Sequence, residues 1–202
     1  EKNLIAKIVI NFDYRNSMLS DLFDIKIKVN NSAIRKVIIK KSNHYFKNLG
    51  KNWSNGVLKA CGDVGSFAGS EMSGGEMHIS GSCLNNLGSK MQGGKIFISG
   101  STGDYVGSSL FGEKNGMNGG LIYIKKNAGD YLGNNMRRGI IYVDGNIGHY
   151  GCSNIVAGTV IISGRFGDYF CLGMKRGTVI IQNDLQYFDN NLCFEDCGIQ
   201  EI

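Results

Sequence analysis

Residues 127–143 read NAGDYLGNNMRRGIIYV. A turn-forming Gly129-Asp130-Tyr131 is followed by Gly133, a lone Met136 and Gly139, and then by the run Ile140-Ile141-Tyr142-Val143. The same order recurs on both sides, with units starting at Gly62, Gly81, Gly100, Lys126, Gly145 and Gly164. The gaps are 19, 19, 26, 19 and 19, and the long one is the same unit with seven residues inserted between Ser108 and Gly116. A period in this range, sustained over six units, marks a solenoid.

Numbering each unit from zero at its start, position 13 is always glycine: Gly75, Gly94, Gly120, Gly139, Gly158 and Gly177. Position 10 holds Met72, Met91, Met117, Met136, Ile155 and Met174. Position 7 is Gly69, Gly88, Gly107 and Gly133, then Cys152 and Cys171. A fainter unit starts at Asn43 and makes a seventh coil, with Trp53 at position 10 and Gly56 at position 13.

The short β-branched runs after position 13, bounded by glycine, read as strands. Side chains two apart share a strand face. Positions 15 and 17 (Ile96 and Ile98, Ile122 and Ile124, Ile141 and Val143) are therefore expected to face one interior. Position 16 (His78, Phe97, Tyr123, Tyr142, Ile161 and Ile180) is expected to face outward.

No coil can bury its apolar face alone, so the coils must stack, strand on strand, at about 4.8 Å. The pattern predicts an all-β fold, a right-handed parallel β-helix of about seven 19-residue coils, with handedness following the usual crossover preference. Residues 1–42 are expected to form a small N-terminal β cap with strands at 4–10, 25–29 and 34–39. Residues 43–182 form the coils, and 183–202 a C-terminal tail that leaves the pattern.

The chain has 202 residues, 30 of them glycine and none proline, which suits a fold that uses nearly every backbone N–H. Glycine does not recur every third residue, so a collagen helix is excluded. The net charge of +5 comes from scattered, mixed charges, without a basic run interleaved with stacking aromatics, so nucleic acid is not an expected partner. No apolar stretch of about 20 residues predicts a membrane span. No signal peptide is visible from Glu1 onward, and a cytoplasmic location is expected. The six cysteines fit neither a zinc ribbon nor a disulfide framework, and reduced thiols packed as small apolar groups are expected. Cys152 and Cys171 share a column in adjacent coils and should stack, and Cys193 and Cys197 are read as packing residues.

Three features bear on function. Position 4 carries Asp104, Asp130 and Asp168. Such a column suits calcium or a polysaccharide lyase, but Asp after Gly is a routine turn residue, and Asn85 and His149 share the column. The turn reading is preferred, and no metal site is expected. Arg137, Arg138, Lys175 and Arg176 fill positions 11 and 12 two coils apart, about 10 Å. They form a basic patch that could meet an acidic ligand, or simply a solvated rim. The insertion carries Leu110, Phe111, Glu113 and Lys114, which are interface candidates because insertions in solenoids become loops on one face. His44, His78 and His149 show no metal or triad spacing, and no catalytic residue is assigned.

The unit G-D/N-x-G-D-Y-x-G-x-x-M-x-G-G resembles the GXGXG repeat family over residues 43–182. That family includes the C subunit of formylmethanofuran dehydrogenase and the C-terminal domain of the large glutamate synthase subunit. Residues 112–120 (GEKNGMNGG), residues 128–139 (AGDYLGNNMRRG) and Leu19-Ser20-Asp21-Leu22-Phe23-Asp24 are similar to the C subunit of the bacterial formyltransferase/hydrolase complex.

The resemblance implies a scaffold subunit packed against hydrolase-like A, B-like and formyltransferase-like D subunits. That complex moves a formyl group from formyl-tetrahydromethanopterin to a methanofuran-type carrier and then releases formate. The cofactors and the metal would sit on the other subunits, and the glutamate tail of the carrier would meet Arg137, Arg138, Lys175 and Arg176. A glutamate synthase-like subunit, associated with an amidotransferase and an FMN-binding partner, is the alternative within the family. A stand-alone β-helix enzyme acting on polysaccharide is the alternative outside it. That enzyme would need a charged groove and an export signal, and neither is seen.

Overall fold

The structure is a computed structural model describing the backbone of residues 25–30 and 33–182 and the side chains from residue 36 to 182. Among the described residues nine strands form one sheet in chain order: β1 (Ile25–Asn30), β2 (Ala33–Ser42), β3 (Val57–Gly62), β4 (Glu76–Ile79), β5 (Lys95–Ile98), β6 (Asn118–Ile124), β7 (Arg138–Val143), β8 (Thr159–Ile162) and β9 (Thr178–Ile181). β1 and β2 pair antiparallel, and every later pair is parallel. The molecule is a parallel β-helix, as the period requires. The expected strand at 4–10 lies outside the described residues, as does the 183–202 tail.

Eight parallel strands stand where the repeat count gives seven coils. The extra one is β2, expected within the N-terminal cap. Its residues Lys36 to Ile39 pair in register with Val57 to Ala60 of β3, so it is the first rung of the sheet. It carries no repeat signature because a hairpin partner precedes it instead of a glycine-marked turn.

The registers put Ile96 beside Ile122, Ile122 beside Ile141, and Ile141 beside Val160. From Val37 to Ile162 the two inward columns of the sheet are at most 2% exposed, and all belong to one hydrophobic cluster. The position-10 methionines Met72, Met91, Met117 and Met136 close that cluster from the opposite side, each fully buried. A flexible thioether suits a slot whose shape changes slightly from coil to coil.

Away from the sheet the coils are joined through their turns. Positions 5, 7 and 9 adopt left-handed backbone, for example Tyr131 (φ 58°), Gly133 (φ 70°) and Asn135 (φ 58°). The alternation points successive N–H groups up and down the helix axis. Tyr131 N–H donates to His149 O of the next coil, at 2.9 Å. Gly133 N–H donates to Val106 O of the previous coil at 2.8 Å, and Asn135 N–H to Ser153 O of the next at 3.3 Å. The rungs thus continue through the corners, which satisfies backbone groups that would otherwise be buried unpaired.

Candidate functional site

In the aspartate column Asp104 and Asp130 serve the turns. Asp130 N–H donates to Asp104 Oδ1 (2.9 Å), His149 N–H to Asp130 Oδ1 (2.7 Å) and Asp168 N–H to His149 Nδ1 (3.0 Å). A parallel ladder runs at position 1: Asn146 N–H donates to Asn127 Oδ1 at 2.9 Å and Arg165 N–H to Asn146 Oδ1 at 2.8 Å. The position-3 glycines leave room for the first ladder, since a Cβ on Gly129 would lie 2.1 Å from Asp104 Oδ1. Among the described residues no His, Cys, Asp and Glu grouping could hold a metal ion.

The four cations of the basic patch are exposed. Their backbones are pinned, Arg137 and Arg138 N–H both donating to Met117 O and Lys175 N–H to Ile155 O. Among the described residues none forms an ion pair with these side chains. Val156 and Ala157, both half-buried, lie between the two cation pairs in the intervening coil. The result is two charged steps flanking a small apolar one, with no carboxylate among the described residues paired to them.

This patch borders the outward face of the sheet. Arg138 opens β7, and two residues on, Ile140 is 42% exposed. Around it lie half-buried Leu121, Tyr123, Tyr142 and Ile161, with Ile180 exposed. His78 stacks on Phe97 (centroids 5.0 Å), and Tyr123 packs tilted on Tyr142 (5.3 Å). The face is polar at one end, where Glu76 meets His78 and Lys95 at 3.4 Å each, and apolar at the other. The hydrogen bonds from His78 and Lys95 hold the Glu76 carboxyl below its usual range.

Tyr123 O–H donates to the Asp144 carboxylate. That bond, with burial and the nearby charge, pushes the Tyr123 phenol up to about 12. Because the folded value exceeds the unfolded one of about 10, the contribution is complete below about pH 10 and is lost as pH rises through 12. Tyr123→Phe should therefore show a shallower loss of stability than the parent between pH 10 and 12, read by urea unfolding. Identical slopes would mean that this hydroxyl contributes nothing.

The insertion is tied down at its base and bare at its tip. Ser109 N–H donates to Asn134 O (3.2 Å), Asn135 Nδ2 to Ser109 Oγ (3.0 Å) and Gly116 N–H to Asn135 O (2.9 Å). Lys90 Nζ reaches Glu113 Oε2 at 2.7 Å, and this bond raises the Lys90 pKa. Leu110 is half-buried, Glu113 and Lys114 are exposed, and Phe111 stands fully in solvent. Glu113 thus serves to hold the loop, leaving Phe111 and Lys114 as the groups it presents.

One surface element escaped the sequence reading. Tyr105, Tyr131, Tyr150 and Tyr169 stack face to face at 5.0, 4.8 and 4.7 Å, within 11° of parallel. Burial within the stack, with the neighbouring Tyr169, Tyr131 and Asp168, raises the Tyr150 pKa. The clue was available, since tyrosine recurs at position 5 of four successive coils.

Repeats of this kind, closed into a β-helix, define the GXGXG class. The GXGXG motif family matches residues 4–202, and the chain belongs to that family. Among solved structures it is similar to a chain of the formyltransferase/hydrolase complex (FhcABCD) from Methylorubrum extorquens, determined in complex with methylofuran, at 34% identity and a TM-score of 0.71. The match covers 77% of this chain and 58% of that one, so the present chain spans little over half the length of its relative. No curated protein matches it. Among the described residues no helix is long and apolar enough to cross a membrane.

Proposed function

We propose that this chain is the C-type scaffold component of a cytoplasmic formyltransferase/hydrolase or formylmethanofuran dehydrogenase complex in one-carbon metabolism. The observation that carries this is the 34% identity and shared fold with a chain of the FhcABCD complex. Its surfaces support an assembling role, because an apolar sheet face, an anchored loop with a bare Phe111 and an exposed basic patch sit on one rigid stack. Hydrolase-like, B-like and formyltransferase-like chains are its partners. They hold the metal and the tetrahydromethanopterin-linked chemistry, while this chain positions them and is not itself catalytic. Arg137, Arg138, Lys175 and Arg176 attract the acidic tail of the methanofuran-type carrier toward the assembled complex.

The test is purification of the tagged chain from its native cells. A hydrolase-like and a formyltransferase-like chain should co-elute; an amidotransferase with an FMN-binding chain, or this chain alone, would overturn the proposal. In the assembled complex, reversing charge at Arg138 and Arg176 should weaken carrier binding about tenfold at low salt and less at high salt, since exposed charges act through a screened field. Unchanged binding would remove the carrier role from the patch while leaving the assembly role standing.

A further inference from the structure

Position 7 is glycine in five coils, at Gly50, Gly69, Gly88, Gly107 and Gly133, with φ between 60° and 70°. In the last two coils it is Cys152 (φ 61°) and Cys171 (φ 58°), two L-residues held in backbone that disfavours a Cβ.

Packing explains why a side chain fits there. A Cβ on Gly69, Gly88 or Gly107 would fall 2.4, 2.5 or 2.7 Å from Cδ1 of Ile96, Ile122 or Ile141. Those isoleucines occupy position 15 of the next coil. At Gly133 the nearest atom would be 3.5 Å away, and position 15 of the following coil is Val160. Above Cys152 that position is Val179, again lacking the δ-methyl. The change from Ile to Val opens space, but space alone does not select sulfur.

We propose that Cys152 and Cys171 are a built modification site, a buried dithiol that closes to a disulfide between the last two coils. The two residues share one column in adjacent coils, where the Cα spacing of stacked strands, about 4.8 Å, lies within the range a disulfide spans. Both are free, one 0% and the other 8% exposed. Burial, with the neighbouring Cys171 side chain, raises the Cys152 pKa.

A low-molecular-weight disulfide such as oxidised glutathione is the oxidant. The Cys171 thiolate attacks one of its sulfurs, the S–S bond breaks, and one glutathione leaves as thiolate and takes up a proton. Cys152 then loses its proton and attacks Cys171 Sγ, forming the protein disulfide and releasing the second glutathione. Two protein thiols lose two electrons, and one glutathione disulfide becomes two thiols.

The order follows from access. Cys171 sits in the final described coil, beside Leu172, which is 55% exposed, whereas Cys152 is fully buried and burial pushes its thiol up. The product ties the coil carrying Lys175 and Arg176 to the one before it. β9 is otherwise held, among the described strands, by β8 alone.

The experiment is exposure of the native full chain to a series of oxidised/reduced glutathione ratios, followed by thiol alkylation, peptide mapping and thermal melting. A peptide linking Cys152 to Cys171 is expected, with a melting temperature raised by about 5 °C or more and restored by dithiothreitol. In Cys152→Ser, glutathione should remain trapped on Cys171. Exposed Cys61 reports that the oxidant is active. If Cys61 is modified while Cys152 and Cys171 stay free, or if Cys171 links to Cys193 or Cys197 instead, the proposal is overturned.

Discussion

Ile122→Ala should lower stability by about 3 kcal/mol or more, seen as a melting temperature roughly 10 °C lower. Ile122 is fully buried, and its Cα neighbours in the sheet are Ile96 below and Ile141 above. Its Cδ1 also fills the space over Gly88. Truncation removes contacts in both directions along the stack, and the rigid rungs on either side cannot close the void. In a solenoid stability is a sum over coils and their shared surfaces, so damage at the centre weakens two interfaces at once. Ile181→Ala supplies the control. Ile181 is only partly buried in the last described strand and should lose less than half as much. Equal losses at the two sites would contradict a single continuous core.

Gly94→Ala should cost about as much, although it adds only a methyl group. At φ +86° an added Cβ would lie 2.8 Å from the carbonyl carbon and oxygen of Gly74 and 2.8 Å from Gly75 O. These are backbone atoms of the coil below and cannot rotate away. Relief requires prying two rungs apart, so a loss of about 3 kcal/mol is expected from overpacking added to backbone strain. Gly112→Ala isolates the strain. Gly112 has φ +80° but nothing within 4 Å of an added Cβ, so it should lose only about 1 kcal/mol. If urea unfolding gave both variants the same loss, close approach of the coils would not be what the position-13 column protects.

The two substitutions probe two halves of one design. Apolar columns draw the coils together, and glycine columns let them come within hydrogen-bonding distance at the corners. The surfaces proposed for partners depend on both. Arg138 and Lys175 project from backbone fixed by inter-coil hydrogen bonds, and the insertion is pinned through Asn134, Asn135 and Lys90 of neighbouring coils. Loss of rung spacing would therefore blur the patch and the loop without touching any of their side chains.

Much of this was readable in the chain itself. A 19-residue period, glycine at position 13 and aliphatic pairs at positions 15 and 17 are local patterns, and they determined the stacked strands, the shared interior and the turn role of Asp104 and Asp130. Exposure of Arg137, Arg138, Lys175 and Arg176 follows from their place beside a glycine corner. What the tertiary structure alone decided are relations between coils, where residues 19 or 26 apart become neighbours. Adoption of β2 as the first rung depends on pairing with β3, which no repeat announces. The near-parallel tyrosine stack depends on left-handed backbone recurring at one height in four coils. Glu113 becomes an anchor because Lys90 lies in the coil below, and the room over Gly133 exists because Val160 in the next coil is one methyl shorter than isoleucine. A periodic sequence specifies each coil by its own pattern, but distances between coils are set by how side chains of successive units fit, and that fit appears only once they are stacked.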